Sequence, residues 1–122
     1  MASQTARVFL VEDYLLMVDL IKDELGGCVV LAANTREDAL CRIREARALA
    51  VNVAIVDGEL NHGPEDGEIV ATALREKIPN IKIICFSSKP HDWGDVNLIK
   101  FGNTSRLNEV IASLLSNHSR AS

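Results

Sequence analysis

Short apolar runs alternate with helical stripes along this chain. Val8-Phe9-Leu10-Val11 is apolar at every position and stops at two acids, Glu12-Asp13. A run that is apolar on both faces suits a strand covered on both sides. Leu15, Val18, Ile21 and Leu25 then recur every three or four residues, the spacing of one helix face. Gly26-Gly27 ends that helix. Cys28 to Ala32 predicts a second strand. Asn34 or Thr35 caps the next helix, with Asp38 in its first turn and Ala39, Leu40, Ile43 and Ala46 facing inward. Val53 to Val56 predicts a third strand, which runs into Asp57. After a Gly-rich, acidic loop, Ile69, Val70, Ala73, Leu74 and Ile78 mark a helix that Pro79 stops. Ile81 to Phe86 and Val96 to Ile99 predict the fourth and fifth strands. Leu107, Val110, Ile111, Leu114 and Leu115 mark a last helix, capped by Asn103 or Thr104.

Strands alternating with helices predict an α/β fold, a parallel sheet with helices on both faces. Right-handed crossovers make the strand order 2-1-3-4-5 the natural solution. In such sheets, sites form at the carboxyl ends of the strands beside the switch point, here between strands 1 and 3.

Composition narrows the class. The 122 residues are 48% hydrophobic and 25% charged, with few Gly and Pro, which predicts one globular domain over 1–122 with an ordered core of about 6–116. The small, polar ends, Met1 to Ala6 and Ser116 to Ser122, read as loose. With 17 acids against 13 bases and no basic cluster, the chain is a poor nucleic-acid binder. Cys28, Cys41 and Cys85 are far apart, match no zinc spacing, and read as reduced core thiols of a cytoplasmic protein. No apolar run approaches a membrane span, and no leader peptide is expected.

The strand ends carry the chemistry. Glu12 and Asp13 follow strand 1 and Asp57 follows strand 3, so three carboxylates converge at one edge of an apolar sheet. Like charges at close range repel, and a hard divalent cation suits all-oxygen ligands. Strand 4 ends at Ser87-Ser88 and strand 5 at Lys100, adding a hydroxyl and a cation to the cluster. A carboxylate beside such a cation can act as a nucleophile towards a phosphoryl group.

This ordered set resembles the receiver domain of two-component response regulators. The residues that carry the resemblance are Glu12-Asp13 in V-F-L-V-E-D, Asp57 in A-I-V-D-G-E-L, Ser87 in I-I-C-F-S-S and Lys100 in N-L-I-K-F, and it spans nearly the whole chain. It implies a flavodoxin-like, doubly wound sheet of five strands. It further implies that Asp57 accepts a phosphoryl group from a sensor histidine kinase or histidine phosphotransferase. Glu12, Asp13, Asp57 and the backbone carbonyl of Glu59 would hold Mg²⁺ or Mn²⁺. Ser87 and Lys100 would contact the phosphoryl group. No output domain is expected after the last helix, an arrangement that resembles the stand-alone regulators: proteins without enzymatic activity that signal by binding a further protein, some as homodimers.

The sequence also departs from that pattern. Only seven residues, Lys89 to Asp95, separate Ser88 from Val96. Seven extended residues reach about 23 Å, enough to return along a strand of about 17 Å but too little for a helix. The helix that relatives carry here is therefore expected to be absent or cut to one turn. Strand 5 could instead run antiparallel or fail to form, and Lys89 would then substitute for Lys100. Asn97 stands where relatives often carry an aromatic residue that, with the hydroxyl at position 87, reports phosphorylation. Phe101 replaces the usual proline, and the Glu59 carboxylate adds charge near the site. These departures keep a second reading open, a pseudo-receiver that binds partners without being phosphorylated. Trp93 is either a partner contact or a cover for the core edge. His62, His91 and His118 have no ligand spacing and read as exposed. A flavin binder would need a phosphate cradle after strand 1, where Glu12-Asp13-Tyr14 stands, and an Asp-x-Asp phosphatase would need its nucleophile there.

Overall fold

The computed structural model describes residues 5–60 and 63–117, so His62, His118 and the outermost residues of both ends lie outside the description. Five parallel strands, β1 (Val8–Val11), β2 (Val29–Ala33), β3 (Val53–Val56), β4 (Lys82–Ser87) and β5 (Val96–Ile99), form one sheet in the order β2-β1-β3-β4-β5. The helices are α1 (Leu15–Leu25), α2 (Arg36–Cys41), α3 (Ile43–Ala48), α4 (Asp66–Lys77) and α5 (Leu107–Asn117).

The unbroken apolar runs are explained by a core on each face. Val8, Leu10, Val53, Ile55, Ile84 and Phe86 point into one cluster with α1 and α5. Phe9, Val11, Ala54, Val56 and Ile83, their neighbours in the chain, point into the other with α2, α3 and α4. Successive strand side chains alternate faces, so a strand covered twice must be apolar throughout. Each large side chain buried this way contributes about 1.5–3 kcal/mol.

Local signals fix the boundaries. Gly26, at φ 63°, closes α1 in a conformation that favours glycine, and its N–H donates to the Lys22 carbonyl. The Thr35 hydroxyl, and not Asn34, caps α2 by accepting from the Asp38 N–H at 3.0 Å. The single helix expected over Ala39 to Ala46 is broken at Arg42, whose N–H is shared between the Asp38 and Ala39 carbonyls. A short 3-10 turn over Thr104–Arg106 precedes α5, and Asn103 braces it by donating to the Ile99 carbonyl at 2.7 Å.

Three residues assigned to inward stripes face solvent: Leu15, Leu40 and Ile69. Adjacent helical positions lie about 100° apart, so burying Ala39 and Val70 turns Leu40 and Ile69 outward, and Met17 takes the place expected for Leu15. The thiols also differ from expectation, since only Cys85 is a core residue and Cys41 is exposed.

The strand 4 to strand 5 connection, residues 88–95, contains bends and no helical turn. It suffices because β5 starts opposite Ile84, three residues back from Ser87. The return is therefore only about 10 Å along the strand direction. Asp95 secures it, its N–H donating to the Ile83 carbonyl and its carboxylate accepting from the Ile83 N–H, both at 2.7 Å. Trp93 packs against the α4-side core, covering sheet that a helix would otherwise cover. The antiparallel alternative is excluded, because β5 pairs parallel to β4.

Candidate functional site

In-register parallel pairing brings the strand ends to one edge. Val11 pairs with Val56 and Ser87 with Ile99. The next residues of β1, β3 and β5 are therefore neighbours: Glu12, Asp57 and Lys100. The Asp57 N–H donates to the Val11 carbonyl at 2.9 Å, and the Lys100 N–H to the Ser87 carbonyl at 2.7 Å. The Lys100 ammonium lies 2.9 Å from Glu12 Oε1 and 3.0 Å from Asp57 Oδ2. Glu12 is 1% exposed, Asp57 4% and Lys100 6%, so the triad is a buried ionic network.

Its electrostatics are unbalanced. Burial, and then the Asp57 charge, push the Glu12 carboxyl up to about 7, against the pull of Lys100. Burial likewise raises Asp57, although Lys100 and the Glu59 N–H, which donates to Asp57 Oδ1 at 3.1 Å, oppose the rise. Burial alone would lower the Lys100 ammonium, but its two carboxylate partners outweigh it and raise it. Half-buried Asp13 joins the cluster, and carboxylate oxygens of Glu12, Asp13 and Asp57 lie within 4.8 Å of one another. Three carboxylates against one ammonium leave a formal excess of two negative charges, the charge of one divalent ion. The donor set is all oxygen and partly open to solvent at Asp13, so it could hold a hard cation.

The other expected residues divide. Ser87 is fully buried beside Gly58, and its Oγ accepts the Lys89 N–H at 3.4 Å. The Lys89 side chain is exposed, whereas Lys100 occupies the cluster; the substitute is not needed. The Glu59 carboxylate is engaged by the connecting loop, accepting from the Ser88 hydroxyl at 3.3 Å. Asn97 closes the turn before β5: its Oδ1 accepts from the Gly94 N–H at 2.9 Å and its Nδ2 donates to the Gly94 carbonyl at 3.2 Å. Cys85 stays a thiol at neutral pH, pushed up to about 12 by burial and by the nearby Asp57 and Glu59 charges.

Two contributions were not read from the sequence. His91, expected to be exposed, is largely buried over Gly58, with its ring 5.7 Å from that of Trp93. The signal was the connection's length: with no helix to carry it away, the loop stays beside the strand ends, and His91 comes to lie against Gly58. Gly67 in α4 is the other. A Cβ there would stand 2.3 Å from the Asp57 carbonyl oxygen, so only glycine lets α4 seat against the backbone of residues 57 and 58.

This is the fold of response-regulator receiver domains. A CheY-like response regulator receiver domain protein from Methanospirillum hungatei JF-1 matches with a TM-score of 0.81 and 21% identity, over 98% of this chain and 100% of its own. The response regulator TrrA from Thermotoga maritima, solved in complex with Mg²⁺ and BeF, matches with a TM-score of 0.75 and 27% identity, over 90% of this chain and 99% of its own. The receiver domain of AraT, a response regulator from Geobacillus stearothermophilus, matches with a TM-score of 0.73 and 20% identity, over 97% and 98%. No protein-family model and no curated protein matches the sequence. No helix among the described residues is long and apolar enough to cross a membrane.

Proposed function

We propose that this chain is a phosphoacceptor receiver in which Asp57 takes a phosphoryl group from a phosphohistidine of a sensor kinase or phosphotransferase. The observation that carries the reading is the buried meeting of Glu12, Asp57 and Lys100 at the carboxyl edge of the sheet, with Asp13 alongside. An Asp57 carboxylate oxygen attacks phosphorus, the P–N bond breaks, and the imidazole of the donor leaves with the electron pair. Lys100, already within 3.0 Å of Asp57, stabilises charge on the transferring group, and Ser87 offers its hydroxyl. Glu12, Asp13, Asp57 and the Glu59 carbonyl would hold Mg²⁺, which supplies neutralisation of the phosphoryl oxygens when bound.

In this reading the protein is a cytoplasmic signalling module, not an enzyme, and acts through a protein partner. The Borrelia burgdorferi CheX–CheY complex, solved with BeF₃ and Mg²⁺, contains a chain of this fold (TM-score 0.77, 13% identity) in contact with a partner. The same edge without phosphorylation is the alternative, favoured by the engagement of Asn97 with Gly94 and by the helix-free connection. Incubation with acetyl phosphate and Mg²⁺, followed by intact mass, separates the two. The wild type is expected to gain one phosphoryl group and Asp57→Asn none. A wild type that stays unmodified while a control receiver is labelled would refute the proposal.

A further inference from the structure

The short connection between β4 and β5 lays an imidazole against the carboxylate cluster. The point where a Cβ on Gly58 would stand lies 2.4 Å from His91 Nε2 and 2.9 Å from Ser87 Oγ. Gly58 directly follows Asp57, so the ring nitrogen and the serine hydroxyl border one space beside the acceptor residue. The His91 side chain is 16% exposed, and its Nε2 is shielded from water with no hydrogen-bond partner among the described residues. Glu59 Oε2 is 3.5 Å away, at ion-pair distance but outside hydrogen-bond geometry. A buried polar nitrogen left without a partner is destabilising, and such orphans call for an explanation beyond folding. Trp93, packed on the core, lies beside the ring, the two centroids 5.7 Å apart.

We propose that His91 is a further phosphoryl-binding residue, its Nε2–H donating to an oxygen of the phosphoryl group on Asp57. This rests on the phosphoacceptor reading and adds a residue to it. A phosphoryl group on Asp57 would bring three non-bridging oxygens towards Ser87 and Lys100, and His91 Nε2 stands beside the Ser87 hydroxyl at Gly58. A neutral imidazole protonated on Nε2 makes this bond, so no change of charge is required. The ring also shields the Gly58 side of the site. Hydrolysis needs a water oxygen to attack phosphorus while the P–O bond to Asp57 breaks and the carboxylate leaves with the electron pair. Covering that side slows the approach. Glycine at position 58 is what admits the ring, because a side chain there would collide with it.

Two substitutions test the assignment in the full chain with Mg²⁺. His91→Phe keeps a ring and removes the donor, whereas His91→Gln keeps an N–H donor at similar reach. Beryllofluoride affinity by calorimetry and the lifetime of phospho-Asp57 by intact mass, after removal of acetyl phosphate, are the readouts. His91→Phe is expected to weaken beryllofluoride binding about tenfold, the worth of one hydrogen bond to a charged group, and to shorten the lifetime. His91→Gln is expected to stay close to wild type in both. A His91→Phe protein that matches wild type overturns the assignment, and so do equal losses in both variants, which would leave only packing. If His91→Phe does not fold, His91→Leu carries the same comparison. A wild type that neither labels nor binds beryllofluoride defeats the phosphoacceptor reading itself, and this assignment falls with it.

Discussion

Replacing Lys100 with Met removes the one ammonium from a pair of carboxylates that are 1% and 4% exposed while keeping most of the side-chain volume. Breaking a buried ion pair on one side costs about 3–5 kcal/mol, because the remaining charge is left uncompensated. For a domain of this size each kcal/mol moves the melting temperature by roughly 3–5 °C, so a drop of about 10–25 °C is expected at pH 8 in EDTA. The pH dependence gives the sharper test. Glu12 already sits at about 7 in the folded protein against 4.5 for the ordinary group, even with Lys100 beside it. A carboxyl raised in the folded state binds more protons folded than unfolded, so stability is fully present below about pH 4.5 and is lost as pH rises through 7. Without Lys100 the folded carboxyls rise further, and at pH 5 a proton replaces the missing ammonium. The Lys100→Met penalty therefore shrinks at pH 5, and adding Asp57→Asn to it recovers part of the loss at pH 8 by removing one of the two unpaired buried charges. Thermal melts at both pH values decide it. A penalty that is equal at pH 5 and pH 8, or a melting temperature within about 2 °C of wild type at pH 8, would show that the cluster is not the buried ionic network described above.

Two further expectations follow from the same geometry. Mg²⁺ should raise the melting temperature of the wild type more at pH 8 than at pH 5.5, because metal and proton compete for Glu12; a pH-independent gain would place the metal elsewhere. Gly67→Ala should cost about 1–3 kcal/mol in urea denaturation, since its Cβ would press on the Asp57 carbonyl oxygen at 2.3 Å, and a neutral substitution would mean that α4 can shift freely.

The sheet was legible because its signals are local and redundant. Val8 to Val11 and Val53 to Val56 are apolar at every position, and each ends in an acid, so strand, burial and site edge came from the same few residues. Glu12, Asp57 and Lys100 followed once the strand order was right, since in-register parallel pairing leaves those residues nowhere else to go. Helix faces were less legible. Leu40 and Ile69 each stand beside a smaller or β-branched apolar residue, and hydrophobicity alone does not say which of two neighbours faces the sheet. The break at Arg42 has no sequence signal stronger than an ordinary helix former.

The least legible part is the most consequential for the site. Chain length predicts a helix between β4 and β5 that is absent or cut to one turn, and residues 88–95 hold none; register shortens the return further, because β5 starts opposite Ile84. The slack is used for contacts. Asp95 supplies a side-chain acceptor where the β4 edge has a free N–H, Asn97 locks the turn at Gly94, and Trp93 covers the sheet. An aromatic at position 97 could not make the paired hydrogen bonds to Gly94, so the same shortening that removes the helix also accounts for the asparagine. With its first residues at the strand ends and its last running back along β4, the loop supplies His91 and Ser88 to an edge otherwise built from β1, β3, β4 and β5. Substitutions in this loop should therefore alter the chemistry at Asp57 more directly than a remote helix would, because the loop's own side chains stand against Gly58 and Glu59.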